Sequence, residues 1–149
     1  MTTRTEKLPW PGFVHVETTT PYWEAAADGT LLLQRCQPAR HLQHYPRSMC
    51  ATCWSEDLAW EPASGRGTVW TFTVVHIPGH PAWRDDVPYT LAIVELEEGP
   101  RLMTNIVGTE PGIVHVGMAV ELDVEHNTRG PQPLLQFRPA DATESSHGP

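Results

Sequence analysis

Fifteen prolines are spread along this chain of 149 residues, and they limit what it can fold into. Proline lacks an amide hydrogen and clashes with the preceding helical turn, so it interrupts long helices and central strands. The same chain contains six tryptophans, whose large amphipathic rings favour burial against other surfaces. Together these residues predict a loop-rich protein built mainly of short strands, with extensions that are anchored by aromatic rings.

The length of the chain, its apolar stretches and its cysteines indicate how many domains it has and in which compartment it folds. A chain of 149 residues holds one ordinary domain or two small modules. Its longest apolar stretches, 69–75 and 90–94, are too short to cross a bilayer, and its N-terminal residues lack the apolar run of a secretory signal. Three cysteines, an odd number, argue against a disulfide framework and favour metal binding or structural thiols. We therefore expect a cytoplasmic protein without a membrane span.

Charge is distributed unevenly along the chain. The formal net charge is −8, which disfavours nucleic acid as the main partner because phosphates require clustered lysine and arginine. The segment 29–55 is an exception, since it contains no acidic residue. This segment is therefore predicted to bind an anion, either a phosphate-bearing ligand or an acidic protein surface. Alternatively, its arginines only keep a loop-rich segment soluble. The basic and titratable residues of this segment are Arg35, Arg40, His41, His44 and Arg47.

Residues 1–30 are expected to form an arm. The first nineteen residues carry prolines and aromatic residues without a helical or strand period, which is typical of an extended segment that packs on another surface. A short helix is predicted from Thr20 to Gly29, with Thr20 as the N-cap, Pro21 at the first helical position and the glycine as the stop. The two aromatic residues that follow Pro21 would dock this helix.

Residues 31–63 are predicted to form a zinc-ribbon-like module. A short apolar strand over 30–36 is followed by a turn and a second short segment, and cysteines lie at the end of both halves. No fragment here holds enough apolar residues to build a core. A metal cross-link would supply the stabilisation that packing cannot provide.

Three cysteines are the candidate metal ligands. Cys50 and Cys53 have the spacing of half a zinc site, and Cys36 adds a third thiolate. A tetrahedral site needs a fourth ligand, which His41 or His44 could supply, and His41 is the nearer of the two to Cys36 in the sequence. The alternative is a ribbon without metal, in which the thiols are buried as small hydrophobes.

Residues 64–140 are predicted to form a five-stranded β-barrel of the OB type, so the fold class is mainly β. The strands are rich in β-branched and aromatic residues or alternate apolar and acidic positions, with glycines at the corners. A small closed barrel fits this pattern, and a flat sandwich is the competing architecture. A disordered tail is expected over 141–149. The predicted strands cover 67–76, 89–96, 101–107, 119–125 and 134–137.

Catalytic motifs are scarce. The chain has no serine in a nucleophile-elbow context, no GxGxxG pattern and no phosphate-binding P-loop. His76 ends the first predicted barrel strand and precedes a loop with Asp85 and Asp86, and a histidine–carboxylate pair could perform acid–base chemistry. Alternatively this loop, which also carries His80 and Trp83, serves recognition. We predict no catalytic residues and no turnover by the chain alone.

A series of short motifs runs in a fixed order through residues 20–140, and the order is more specific than any single motif. The series consists of Tyr22-Trp23-Glu24 and Gly29, Leu31 to Gln34 leading into Cys36, Pro46-Arg47, Cys50 and Cys53, Leu58 and Trp60, Ser64-Gly65, Gly67 and Val69, Phe72 to His76, Pro88-Tyr89, Leu96 to Gly99, Arg101-Leu102, Gly117-Met118 and Val120, and Phe137-Arg138-Pro139. This order resembles the acyl-CoA-associated zinc-ribbon/OB-fold proteins of bacteria and archaea, long described as a domain of unknown function.

The resemblance implies a helical arm, a rubredoxin-like zinc ribbon and an OB barrel. It also implies a partner of the thiolase superfamily, such as a thiolase, a hydroxymethylglutaryl-CoA synthase, an acyltransferase or a lipid-transfer-protein-like aldolase of steroid side-chain degradation. Some members are fused or bound to acyl-CoA hydratases. The partner holds the catalytic residues, and the OB protein serves assembly, stability or substrate channelling. This chain departs from the family pattern at Ala39 and Arg40, where the first knuckle usually has its second cysteine and a glycine.

We therefore predict a non-catalytic accessory subunit of a heteromeric acyl-CoA enzyme. The resemblance implies zinc as the metal, acyl-CoA as the ligand of the complex, and a heterotetramer of two plus two chains. Arg35, Arg40 and Arg47 are the candidate contacts for the phosphates of coenzyme A or for an acidic partner surface. One alternative is a single-stranded nucleic-acid-binding OB protein, which needs basic and aromatic residues on the barrel. The other is a stand-alone acyl-CoA hydrolase or dehydratase.

Overall fold

A computed structural model describes residues 16–123 and 133–141, which form a short helix, a three-stranded sheet and a closed barrel. Residues 1–15 of the predicted arm, the last two residues of the predicted strand 119–125 and the predicted tail beyond residue 141 lie outside these described residues. In chain order the elements are α1 (Thr20–Ala27), β1 (Leu32–Cys36), β2 (Leu42–Gln43), β3 (Leu58–Pro62), β4 (Arg66–Val75), β5 (Tyr89–Leu96), β6 (Arg101–Ile106), β7 (Ala119–Asp123) and β8 (Gln136–Pro139).

The helix α1 forms where the sequence predicts it, but its first turn differs. A 3-10 turn over Glu17–Thr19 runs directly into α1, so Thr20 is the first helical residue and not the N-cap. The hydroxyl groups of Thr19 and Thr20 donate hydrogen bonds to the Val16 carbonyl, at 3.0 and 3.5 Å. The helix ends before Gly29, whose φ of 78° is readily adopted by glycine.

The ribbon is a three-stranded antiparallel sheet with the order β2-β1-β3. Strand β3, over Leu58–Pro62, pairs with all five residues of β1. The sequence predicts no strand there, because five residues between a turn and a proline carry too short a pattern of apolar and polar residues. Three residues separate the end of β3 from the start of β4, so the ribbon and the barrel are joined by a short link.

The remaining strands close into a barrel with the order β4-β5-β6-β8-β7. This order is that of an OB fold, and the closure excludes the flat sandwich. Strands β6 and β8 run parallel, while the other neighbours are antiparallel. Strand β5 has the predicted bounds, whereas β8 lies two residues later than predicted because Phe137, which is fully buried, is placed within it and not at its end.

One apolar core joins the barrel to the ribbon. Along β5, buried and partly exposed side chains alternate at every residue, so one face of the strand lines the barrel interior. Leu31 and Leu33 of the ribbon and Tyr22 of α1 belong to the same cluster of buried residues. Trp23 packs against this cluster, with its ring 4.9 Å from that of Tyr22. The predicted docking of α1 through its two aromatic residues is therefore confirmed.

The barrel has a seam between β6 and β8 that the ribbon helps to close. The two strands share a single registered pair, Ile106 with Phe137. Farther along β6, the Met103 N–H donates a hydrogen bond to the hydroxyl oxygen of Tyr45, at 3.2 Å. The Thr104 hydroxyl donates one to a backbone carbonyl just before β8, at 2.9 Å. The Tyr45 side chain of the ribbon thus supplies the hydrogen-bond acceptor that a neighbouring strand would otherwise supply to β6.

No helix within residues 16–123 and 133–141 is both long and apolar enough to span a membrane.

Candidate metal centre and its surroundings

Two turns bring three cysteines and one histidine to the same end of the ribbon. The first turn joins β1 to β2 and holds Cys36 and His41, and the Cys36 N–H donates a hydrogen bond to the His41 carbonyl at 2.8 Å. Within this turn Arg40 has a φ of 61°, the left-handed conformation that favours glycine. The turn therefore keeps the backbone shape of a ribbon knuckle, although an arginine costs about 1 kcal/mol more than glycine in this conformation.

The second turn holds the other two cysteines. Its backbone is closed by hydrogen bonds from the Trp54 N–H to the Cys50 carbonyl, at 3.0 Å, and from the Cys50 N–H to the Ser55 carbonyl, at 2.8 Å. Trp54 also has a left-handed φ, of 65°. Cys50 is fully buried beneath the turn, whereas Cys53 is exposed at its tip. These backbone hydrogen bonds hold the turn that carries both thiols.

The four candidate ligand atoms form a compact cluster. The sulfur atoms of Cys36, Cys50 and Cys53 and a ring nitrogen of His41 all lie within 4.8 Å of one another. The Cys36 and Cys53 sulfur atoms are 3.4 Å apart, and the Cys50 sulfur is 3.5 Å from His41 Nδ1. Around a tetrahedral zinc ion, neighbouring ligand atoms are separated by about 3.5–3.8 Å. The donor set and its spacing therefore fit zinc.

Electrostatics prepare one of these thiols for a cation. The backbone N–H groups of Cys53 and Thr52 point at the Cys50 sulfur and lower the pKa of that thiol to about 6. The Ala39 N–H lowers the pKa of Cys36, but desolvation and the neighbouring thiols together raise it above its ordinary value. A divalent cation would relieve this repulsion between the sulfur atoms, because thiolates bind zinc in the deprotonated form.

His44, the other histidine considered as a ligand, lies elsewhere. Its ring packs between those of Tyr22 and Tyr45, with centroid distances of 5.6 and 4.3 Å. Burial lowers the pKa of His44 to about 4, so the ring is neutral at physiological pH. His44 Nδ1 is buried and has no hydrogen-bond partner in the part of the chain that the structure describes. Of the two candidates, His41 is therefore the one in the cluster.

The three predicted anion-binding arginines have different surroundings. Arg35 is partly buried and forms a two-pronged ion pair with Glu61 on the neighbouring strand, with Nη2 and Oε1 2.7 Å apart. Hydrogen bonding to Arg35 holds the pKa of Glu61 below its ordinary value. Arg40 and Arg47 have exposed side chains. Arg35 thus already has a carboxylate partner, while Arg40 and Arg47 face solvent.

Two glutamines, which are not among the predicted site residues, organise the ribbon. Gln34 is buried, and its side chain donates to the Arg47 carbonyl at 2.9 Å and accepts from the Arg47 N–H at 2.8 Å. Gln43 donates to Gln34 at 2.8 Å and accepts from the Ala51 N–H at 2.8 Å. These bonds tie the segments on both sides of Cys50 to the sheet. In the sequence, the sign of this role is an amide side chain, Gln34, that directly follows the apolar residues Leu31–Leu33 in a predicted strand.

In the loop after β4, which carries the candidate acid–base residues, one histidine stabilises the local backbone. His80 Nδ1 accepts a hydrogen bond from the Ala82 N–H at 3.1 Å and thereby caps the 3-10 turn Pro81–Trp83. His76 is exposed just after β4, and Asp85 is exposed in the loop. The Trp83 ring lies 5.8 Å from that of Tyr89 and so anchors the loop to the start of β5.

Comparison with known proteins gives two adjoining family matches. Residues 23–59 match the rubredoxin-like zinc ribbon domain of ChsH2, and residues 60–125 match the C-terminal OB-fold domain of ChsH2.

Among curated relatives, the chain is 41% identical to a probable enoyl-CoA hydratase alpha subunit of Thermomonospora curvata, over 84% of this chain and 38% of the relative. The chain therefore spans little more than a third of the length of that relative. It is 30% identical to the benzoylsuccinyl-CoA thiolase subunit BbsA of Thauera aromatica, over 89% of this chain and 90% of that subunit.

Among solved structures, the chain is similar to a chain of the Ltp2-ChsH2(DUF35) aldolase. The TM-score is 0.76 and the sequence identity is 37%, and the match covers 86% of this chain and 98% of that one.

Proposed function

Because this chain belongs to the ChsH2 (DUF35) family, which joins a rubredoxin-like zinc ribbon to an OB-fold domain, we propose that it is a non-catalytic accessory subunit of a heteromeric acyl-CoA enzyme. The observation that carries this proposal is the match to the thiolase subunit BbsA, since it extends over nearly all of both chains. The partner is a thiolase-superfamily or aldolase-type protein that holds the catalytic residues. Closed symmetry favours two copies of each chain.

Co-expression with the thiolase-superfamily protein encoded nearest to this chain in its genome tests the proposal. We expect the two proteins to elute together in size-exclusion chromatography, with a mass that corresponds to two plus two chains. Turnover of an acyl-CoA substrate should require the partner and should be absent from this chain alone. Separate elution of the two proteins, or turnover by the lone chain, would contradict the proposal.

We also propose that the ribbon holds one zinc ion through Cys36, His41, Cys50 and Cys53. The compact donor set supports this, since three thiolates and one imidazole are a donor combination found in structural zinc sites. Zinc there would cross-link the two turns and would not take part in the reaction. Such a thiol set persists in a reducing compartment, which agrees with the predicted cytoplasmic location.

Metal analysis of matched histidine variants tests this ligand set. We expect about one zinc per chain in the wild type, and His41→Ala should bind zinc at least about 10-fold more weakly because one of four ligands is lost. His44→Ala is the control, because His44 lies outside the cluster. Equal zinc affinity of both variants and the wild type would exclude His41 as a ligand.

Arg40 and Arg47 are the proposed contacts for the phosphates of coenzyme A in the complex. Their exposure and the absence of acidic residues from segment 29–55 support this role. Replacing both by alanine should weaken coenzyme A binding to the complex by roughly 10-fold in calorimetry, because charge-assisted bonds to phosphate are lost. The exposed Arg84→Ala serves as the control. Unchanged affinity of the double variant would remove these arginines from the proposal.

A further inference from the structure

We propose that the outer β4–β6 face, formed by Trp70, Leu91, Ile93, Met103 and the neighbouring Tyr45, is the surface that docks against the catalytic subunit. This inference rests on the function proposed above and adds to it the location of the contact.

The register of the barrel sends one row of side chains outward across three strands. Ile93 on β5 lies opposite Thr71 of β4 and opposite Met103 of β6. The neighbouring residues Ala92 and Val94 are buried in the barrel, so Ile93 and Met103 point to the outside. Together the three strands line a shallow depression of about 240 Å³. An apolar concavity of this kind accepts a side chain from another surface.

An exposed tryptophan is held in place on β4, directly before Thr71, which lines this depression. The register shifts between Val69 and Thr71, so Trp70 is the extra residue of a β-bulge. The guanidinium carbon of Arg101 lies 3.5 Å from the centre of the Trp70 ring, and Arg101 Nε is 2.7 Å from Glu95 Oε2. The ring is therefore oriented before any partner arrives, which lowers the entropy lost on binding.

The exposed residues are of the types that dominate protein interfaces. Trp70 is 50% exposed, Met103 57% and Tyr45 50%. Tryptophan, tyrosine, methionine and arginine are enriched in interfaces, and tryptophan, tyrosine and arginine carry most of the binding energy measured by alanine substitution. Tyr45 is joined to Met103 by its hydroxyl, so the ribbon and the barrel contribute to one continuous surface.

Charge favours a protein partner over an anionic polymer or membrane. The chain carries a net charge of −8, and the arginine at this face, Arg101, is already paired with Glu95. Nucleic acid and anionic lipid surfaces attract unpaired lysine and arginine, and within residues 16–123 and 133–141 the face offers neither. A neutral apolar surface on an acidic protein fits a neutral apolar surface of another subunit. The subunit names of the relatives, such as that of BbsA, agree with this occupant.

Single substitutions on the exposed face test the proposal. Met103→Glu and Trp70→Ala are compared with Ile113→Glu, which places the same charge on a loop residue of similar exposure, 59%. The probe is the co-expressed thiolase-superfamily protein encoded nearest to this chain, and binding is measured by calorimetry after each protein is purified. Circular dichroism and thermal unfolding show whether each variant is folded.

We expect both face variants to weaken binding at least about 30-fold, as hot-spot substitutions do, with the Ile113 variant within twofold of the wild type. Full binding by folded Met103→Glu and Trp70→Ala would overturn this location while leaving the proposed function intact. A lone chain that dimerises in light scattering, with dimerisation abolished by Met103→Glu, would assign the face to a second copy and also overturn the inference. Failure of the wild type to bind would instead count against the proposed function itself.

Discussion

The ribbon and the barrel are stabilised by different kinds of interaction. The barrel buries apolar side chains from all five of its strands in a common core. The ribbon adds Leu31 and Leu33 to that core and packs Leu42 and Trp60 against it. It is held further by the Gln34 amide bonds, the Arg35–Glu61 pair and the thiol cluster. Apolar burial tolerates many combinations of residues, whereas a metal site or an amide network requires particular ones. Substitutions in the ribbon and in the barrel should therefore have different effects on zinc binding and on stability.

The largest expected effect is Cys50→Ser, which removes a buried ligand. Binding of a structural zinc contributes on the order of 10 kcal/mol to the folding of a metal module. We expect zinc to be lost and the amides of β1 to β3 to exchange rapidly with deuterium, while those of β4 to β8 stay protected. Ala51→Ser changes the exposed neighbouring residue and is the control, so it should keep its zinc and the protection of the β1 to β3 amides. Equal loss of protection in the barrel would show that the two regions unfold as one unit.

The converse substitution is Phe137→Ala in the barrel. Phe137 has no exposed surface, and truncation of a buried phenylalanine costs about 3–5 kcal/mol. Urea unfolding should show this loss, while the folded variant keeps its zinc. The adjacent Arg138→Ala removes only an exposed ion pair with Glu121 and should destabilise the protein far less than Phe137→Ala does. A Phe137 variant that folds normally but has lost its zinc would contradict the separation of roles.

An intermediate effect is expected at the junction, where His44 is buried. Its folded pKa is about 4, below the ordinary value of about 6.5, so as the pH falls from 6.5 to 4 the unfolded chain takes up a proton that the folded chain does not. Stability is full above pH 6.5 and declines across this interval by about 3 kcal/mol. His44→Phe keeps an aromatic ring and should flatten this decline in urea unfolding. Zinc release at low pH affects both proteins alike, so equal slopes would count against His44.

The smallest expected effect is Gly67→Ala, which tests how closely β4 and β5 approach. An added methyl group would lie against the Glu95 carbonyl oxygen and 2.8 Å from Val94 Cγ1. Relief of such a clash costs about 1–3 kcal/mol. Gly79→Ala is the matched control, since no atom lies within 4 Å of its added methyl group. Identical thermal unfolding of both variants would mean that the strands separate freely at this point.

The contrast between the two regions also explains what the sequence could predict. Strand β5 has the expected bounds because its alternation of apolar and polar residues reports burial directly. The order of the short motifs pointed to the family, which the two adjoining family matches bear out.

Other features depend on contacts that no local pattern records. Strand β3 exists because its five residues pair with β1. The first turn of α1 differs from the predicted one because the hydroxyl groups of Thr19 and Thr20 both bond to the Val16 carbonyl. The carboxylate partner of Arg35 lies 26 residues away in the chain. Such long-range pairing becomes visible only when the chain is folded.

The hydrogen bond between Tyr45 and Met103 limits how the two modules can be taken apart. A barrel expressed without its ribbon would leave that backbone N–H open beside a sparsely paired strand. Unpaired strand edges recruit strands from other molecules, so the truncated protein should tend to aggregate. Domain exchange between relatives would therefore succeed only when the incoming ribbon brings an acceptor to the same place.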